Sequence, residues 1–169
     1  LVTFSGSASI DFRQKDFYID PSHPSNYLFN TSIANLDHAD LILLVGANPR
    51  LEATMINARI RKNFINNQTE IYSIGDPGDQ TYKINYLGDN LNILKDIEND
   101  KSIFSEKIKL SKKPIIIIGE SVLNAKQGLY VLETSKSILK KNNALPGLNI
   151  LHQKASSVGA IMLQAFSLS

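Results

Sequence analysis

A chain of 169 residues with 43% apolar content is the size of one domain and can bury one core, and its longest apolar runs, Leu41 to Val45 and Ile115 to Ile118, fall far short of the roughly 20 residues that cross a bilayer. Its 18 Lys and Arg are interspersed with 16 Asp and Glu, a net charge of +2, so it carries no basic stripe for nucleic acid. It contains no cysteine, which excludes disulfides, thiolate zinc sites, cysteine-ligated iron–sulfur clusters and a cysteine nucleophile.

Residues 1–31 are rich in Ser, Asp, Asn and Pro and read as an extended or loop entry segment; residues 32–169 read as one α/β domain. Leu41-Ile-Leu-Leu-Val45 is continuously apolar, as a strand covered on both faces should be, and stops at Gly46. Asn48 suits an N-cap and Pro49 a first helical position, and Ile56, Ile60 and Phe64 then recur every four residues as the buried stripe of a helix. Arg59 and Arg61 are two of only four arginines in a lysine-biased chain, and fixed contacts to carboxylates or carbonyls are expected of both.

A second strand, Ile71 to Ile74, ends in the turn formers Gly75-Asp-Pro-Gly-Asp79, and Leu91, Leu94 and Ile97 predict a short helix capped by Asp89 or Asn90. Phe104 and Ile108 suggest another helix over 102–110, and Pro114-Ile-Ile-Ile-Ile-Gly119 is a third strand. The stretch 124–141 predicts a helix with Leu129, Leu132 and Leu139 inward, its basic last turn Lys140-Lys141 complementing the dipole. Leu148, Leu151, Ala155, Val158 and Met162 are spaced as an amphipathic helix whose apolar face needs a partner surface. Strands alternating with helices predict a parallel, Rossmann-like three-layer sheet.

Four features could carry chemistry. Gly46-Ala-Asn-Pro49 follows a strand and opens a helix, where free backbone N–H groups could hold an anion, yet neither a dinucleotide fingerprint nor a P-loop occurs anywhere. Asp76, Asp79 and Asp89 could ligate a hard cation, but turn geometry already accounts for them. His23, His38 and His152 lie far apart without metal-ligand spacing, and His152 reads as a helix residue making a structural hydrogen bond. Gly119-Glu-Ser121 lacks the nucleophile elbow of a hydrolase. No catalytic, cofactor-binding or metal-binding residue is therefore assigned.

The segment from Leu41 to Lys62 closely resembles the region after the iron–sulfur centres in the large (75 kDa) iron–sulfur subunit of respiratory complex I, NADH:ubiquinone oxidoreductase. Asn26-Tyr-Leu-Phe-Asn30, Thr81-Tyr82 with Tyr86-Leu-Gly-Asp89, Lys112-Lys-Pro-Ile-Ile-Ile-Ile-Gly119 and Asn149 to Ala160 look like that family in the same order, so the likeness spans about residues 11–166. In that family the region is similar to molybdopterin oxidoreductases, in which Gly-x-Asn-Pro and the later Asp-Pro turn lie beside a pterin dinucleotide, while the complex I version is taken to have lost the cofactor.

The resemblance implies a structural, cofactor-free module with no activity by itself, its iron–sulfur clusters held in a missing N-terminal part or a companion chain. The partners implied are other peripheral-arm subunits and the remainder of the same subunit, with no nucleic acid and no membrane span in this chain. The place implied is the matrix side of the mitochondrial inner membrane, or the cytoplasmic side of a bacterial membrane. The alternative is a fragment of an active molybdopterin-dependent oxidoreductase. Leu1-Val-Thr-Phe lacks an initiator Met, so the chain reads as processed, truncated or incomplete; 21 Ile and 16 Asn, with 14 Lys against 4 Arg, fit an AT-rich genome.

Overall fold

In the computed structural model, which describes residues 19–154 and 156–163, β1 (Leu41–Val45) is the central strand. All five of its side chains are buried, and they divide by strand alternation. Leu41, Leu43 and Val45 point into one core with Ile116 and Ile118, whereas Ile42 and Leu44 point into a second with Ile115 and Ile117. A run without polar interruption is what a strand covered on both faces needs.

Five strands form one parallel sheet in the order β3-β2-β1-β4-β5: β2 is Glu70–Ile74, β3 Asn85–Gly88, β4 Pro114–Gly119 and β5 Leu148–Leu151. The chain runs outward from β1 to β2 and β3, then returns past β1 to β4 and β5. The strand order therefore reverses between β1 and β4, where such folds leave a crevice at the carboxyl ends of the strands.

Seven helices cover the described faces: α1 (Pro49–Glu52), α2 (Thr54–Asn67), α3 (Asn92–Glu98), α4 (Ile103–Leu110), α5 (Glu120–Leu123), α6 (Gly128–Lys141) and α7 (Ser157–Met162). Ile56 and Ile60 of α2 pack on one face of the sheet; Leu94, Ile97, Phe104, Ile108, Val131, Leu132, Ile138 and Leu139 of α3, α4 and α6 pack on the other. Phe64 completes the predicted α2 stripe from the edge of its core. Between them on α2 is the fully buried Asn63, whose amide donates to the carbonyls of Leu36 and Ala39 at 2.9 and 2.7 Å, tying the 3-10 turn Ile33–His38 to the helix.

Several expectations need correction. The expected helix after β1 is two helices, because Ala53 leaves helical geometry at φ −153°, ψ 75°. The helix expected from residue 124 begins at Gly128, after the separate turn α5, and Leu129 is 47% exposed. Segment 85–88 is a strand that no apolar run announced, because it is a half-exposed edge.

The largest error concerns residues 148–162. Leu148–Leu151 is β5, all four side chains buried, and only Ser157–Met162 is helical. Gly147 allows this: a Cβ there would stand 2.2 Å from the Pro114 carbonyl, so only glycine lets the chain come alongside β4. Leu151 is in the core with Ile42 and Leu44, Val158 packs against the core on the opposite face of the sheet, and Met162 is the exposed member of the expected face; Ala155 lies outside the described residues.

Of the entry segment, residues 1–18 lie outside the described part. Downstream, Phe29 bridges Asn149 in antiparallel fashion, the Ile150 N–H donates to the Leu28 carbonyl at 3.2 Å, and the Thr31 N–H donates to Asn149 Oδ1 at 2.7 Å. Residues 27–31 thus cover the outer edge of β5, which would otherwise offer unpaired backbone groups.

Candidate functional site

The turn after β1, Gly46-Ala-Asn-Pro49, lies at the reversal of strand order, as its position in the sequence predicts. Gly46 takes φ +54°, a conformation suited to glycine, and lets the chain turn from β1 into α1. Asn48 caps α1, its Oδ1 accepting the Leu51 N–H at 3.3 Å, and Pro49 opens the helix.

The backbone donors that an anion would use are largely engaged. The Gly46 N–H donates to the Ile74 carbonyl at 2.8 Å, the Asn48 N–H to Glu52 Oε1 at 3.3 Å, and the Leu51 N–H to Asn48; Pro49 has none. A carboxylate of the chain itself, Glu52, thus stands at the start of α1 where a bound anion would be favoured.

Neighbouring turns close on this one. A Cβ on Gly46 would meet the Val122 side chain at 2.1 Å, and one on Gly119 would meet the Gly46 carbonyl at 2.2 Å. The Ser121 hydroxyl donates to that same carbonyl at 3.0 Å, so Ser121 serves as a tie between turns. On the other side, the buried Gln80 donates from Nε2 to Asn48 Oδ1 at 2.7 Å and also to the Pro77 carbonyl. Arg50 reaches across to Asp79, Nη1 lying 2.8 Å from its carbonyl and 2.9 Å from Oδ2. The 75–84 loop is thereby fastened over the β1–α1 turn.

A second acidic group, Glu120, follows β4. It is buried, and Oε2 accepts the Gln153 N–H at 2.6 Å. Burial, and then the charge of Glu120, push the Glu52 carboxyl above its ordinary range. The crevice is therefore acidic in character, the opposite of a phosphate grip.

The other candidates are dispersed. Asp76 Oδ1 accepts the Gly78 N–H at 2.8 Å and Asp79 Oδ1 the Thr81 N–H at 3.0 Å, so both serve their own turn, while Asp89 lies beside Tyr86 and raises its phenol pKa. No group of three or more His, Cys, Asp or Glu among the described residues could hold a metal ion. His23 Nδ1 accepts the Ser25 N–H at 3.2 Å, and His38 lines two cavities of about 330 and 500 Å³ at the opposite, amino end of β1 and β4. His152 lies past β5, not in a helix, with Nε2 2.5 Å from the Tyr27 carbonyl. Arg59 pairs with Asp37 at 2.9 Å as expected; Arg61 is exposed and has no ion pair among the described residues, whereas Arg50 makes the fixed contact that was expected of Arg61.

No helix among the described residues is long and apolar enough to cross a membrane. A family model for molybdopterin oxidoreductases matches residues 5–168. The G subunit of the NADH-quinone oxidoreductase of Rickettsia bellii (strain RML369-C) is 40% identical over 158 residues, 91% of this chain and 23% of that protein. The NADH-ubiquinone oxidoreductase 75 kDa subunit of Reclinomonas americana is 41% identical over 143 residues, 82% and 21% respectively. The corresponding NADH-quinone oxidoreductase subunit of Rickettsia prowazekii (strain Madrid E) is 36% identical over 160 residues, 92% and 24%. The chain spans less than a quarter of the length of these relatives.

Proposed function

Because this chain belongs to the molybdopterin oxidoreductase family and resembles the large subunit of NADH:quinone oxidoreductase over most of its length, we propose that it is a cofactor-free structural module of that subunit in the peripheral arm of complex I. Its partners are the rest of the same subunit and neighbouring peripheral-arm subunits. Its place is the matrix side of the mitochondrial inner membrane, or the cytoplasmic side in a bacterium. Electrons pass from NADH to quinone through flavin and clusters held elsewhere, since a chain without cysteine offers no thiolate to a cluster.

The observation that carries the reading is the filled crevice. At the reversal of strand order Val122 covers Gly46, Asn48 lies against Gly78, the Gly46, Asn48 and Leu51 amides already have acceptors, and Glu52 and Glu120 bring two carboxyl groups. A pterin dinucleotide carries a pyrophosphate, which calls for free amides and cations at that point. The residues present do not fit it.

The family match by itself favours the other reading, a piece of an active molybdopterin-dependent oxidoreductase. Molybdenum and pterin analysis of the purified chain separates the two. The structural reading expects neither at stoichiometric level; one pterin per chain would overturn it.

A further inference from the structure

Three cavities, of about 330, 500 and 380 Å³, adjoin one another at the amino end of the sheet. The first and second share His38, Lys112 and Lys113, and the second and third share Gln68, Thr69 and Glu70. Their linings follow the strand order, since Gly147 leads into β5, Lys113 into β4, Ala39 into β1, Thr69 into β2 and Lys83 into β3. They form one groove across all five strand ends. At about 4.8 Å between strands it is about 19 Å long, the reach of about six residues of extended chain.

The carboxylates of the groove are committed. Asp40 accepts the Ser111 hydroxyl, the Lys112 N–H at 2.6 Å and the Lys113 N–H at 3.0 Å. Glu70 pairs with Lys107 at 2.7 Å and accepts the Tyr72 hydroxyl at 2.7 Å. The cations are not committed: among the described residues the side chains of Lys83, Lys112 and Lys113 make no ion pair or hydrogen bond. Lys112 and Lys113 are exposed, and the first cavity, which they line, has no acidic residue in its wall. By holding the backbone of this pair, Asp40 fixes where the two ammonium groups start from.

Exposed Asn35 and Asn143 line the same cavity, and each amide offers donors and an acceptor of the kind that peptide groups pair with. A small anion at the two lysines would leave most of the groove unused, whereas an extended chain matches its length. We infer that the groove docks an extended, acidic segment of another polypeptide, its carboxylates over Lys112 and Lys113 and its backbone along the amino ends of the strands. The inference stands on the cavities and their charge, and holds whatever larger assembly the chain joins.

The test is fluorescence anisotropy of a labelled peptide of about six residues, alternating Glu and Ser, titrated with the full 169-residue chain. A peptide with Gln in place of Glu is the neutral counterpart. The variants are Lys112→Gln with Lys113→Gln, and, as a control, Lys126→Gln, an exposed cation between α5 and α6 past the carboxyl end of β4. Asp40 is bound by the backbone amides of the groove lysines, so the double variant keeps that anchor. The expected result is saturable binding of the acidic peptide that weakens about tenfold in the double variant and is unchanged in Lys126→Gln. It should also weaken as salt rises from about 50 to about 200 mM, and the neutral peptide should bind about tenfold less tightly or worse. The inference is overturned if the acidic peptide shows no saturable binding, or if Lys126→Gln loses as much as the double variant. Release of the peptide by an equal concentration of inorganic phosphate or of a short oligonucleotide would also overturn it, by making the groove a phosphate site.

Discussion

Replacing Asn48 by Ala removes two acceptor contacts at once, because one oxygen caps α1 through the Leu51 N–H at 3.3 Å and receives Gln80 Nε2 at 2.7 Å. The cap is worth about 1 kcal/mol, kept modest here by its length, and a hydrogen bond to a buried side chain about another 1 kcal/mol. Gln80 retains the Pro77 carbonyl, so its amide is not wholly orphaned. Asn48→Ala should therefore lose about 2 kcal/mol, and with about 2 to 4 °C per kcal/mol in a protein of this size, Tm should fall by about 4 to 8 °C. Asn48→Asp keeps both acceptors and should lose less than half as much. A double-mutant cycle with Gln80→Ala should return a coupling of about 1 kcal/mol. Additive losses in that cycle, or an Asn48→Ala Tm within about 1 °C of wild type, would refute the idea that this side chain fastens the 75–84 loop over the crevice.

Asn63→Ala leaves two buried carbonyls, those of Leu36 and Ala39, without its amide and should cost about 2 to 4 kcal/mol in urea unfolding; a loss below about 1 kcal/mol would show that water replaces it. Burial disfavours the Asp40 charge, but the Ser111 hydroxyl and the Lys112 and Lys113 amides outweigh it and hold its pKa below 3.8, so its contribution is present above that value and lost as pH falls through the folded one. Asp40→Ala should accordingly shallow the acid limb of the stability profile, and an unaltered limb would contradict the assignment. Gly159→Ala, with nothing within 4 Å of the new methyl on α7, should stabilise by about 0.5 to 1 kcal/mol, whereas Gly119→Ala drives a methyl against the Gly46 carbonyl and should destabilise; thermal melts giving both the same sign would contradict the geometry.

The two central strands were legible because burial on both faces demands unbroken apolar runs, as in Leu41–Val45 and Ile115–Ile118. The strand β5 was not. Its four residues are too few to show a period, Asn149 interrupts them, and Leu148, Leu151 and Val158 happen to fit helical spacing. Asn149 is tolerated at 0% exposure because its amide meets Thr31, 118 residues away, and the Gly147 carbonyl, a solution no local pattern reveals.

At the crevice, the Asn48-Pro49 cap and the Gly46 turn could be read directly, since their physics is local. The partners Gln80, Val122, Glu120 and Gln153 could not, since they arrive from other strands' turns. Arg61 illustrates the converse: scarcity of arginine suggested a fixed contact, but the helical face decides, and it faces solvent while Arg59 reaches Asp37.

If the chain is a structural piece of complex I, what it assembles with in its own cell is the decisive measurement. Tagging the chain, isolating it under native conditions and measuring both NADH:quinone activity and subunit composition by mass spectrometry should recover it in a particle that contains the remainder of the large subunit and oxidises NADH. Recovery as a free, monodisperse protein carrying molybdenum and pterin, with no such activity in the fraction, would contradict that role.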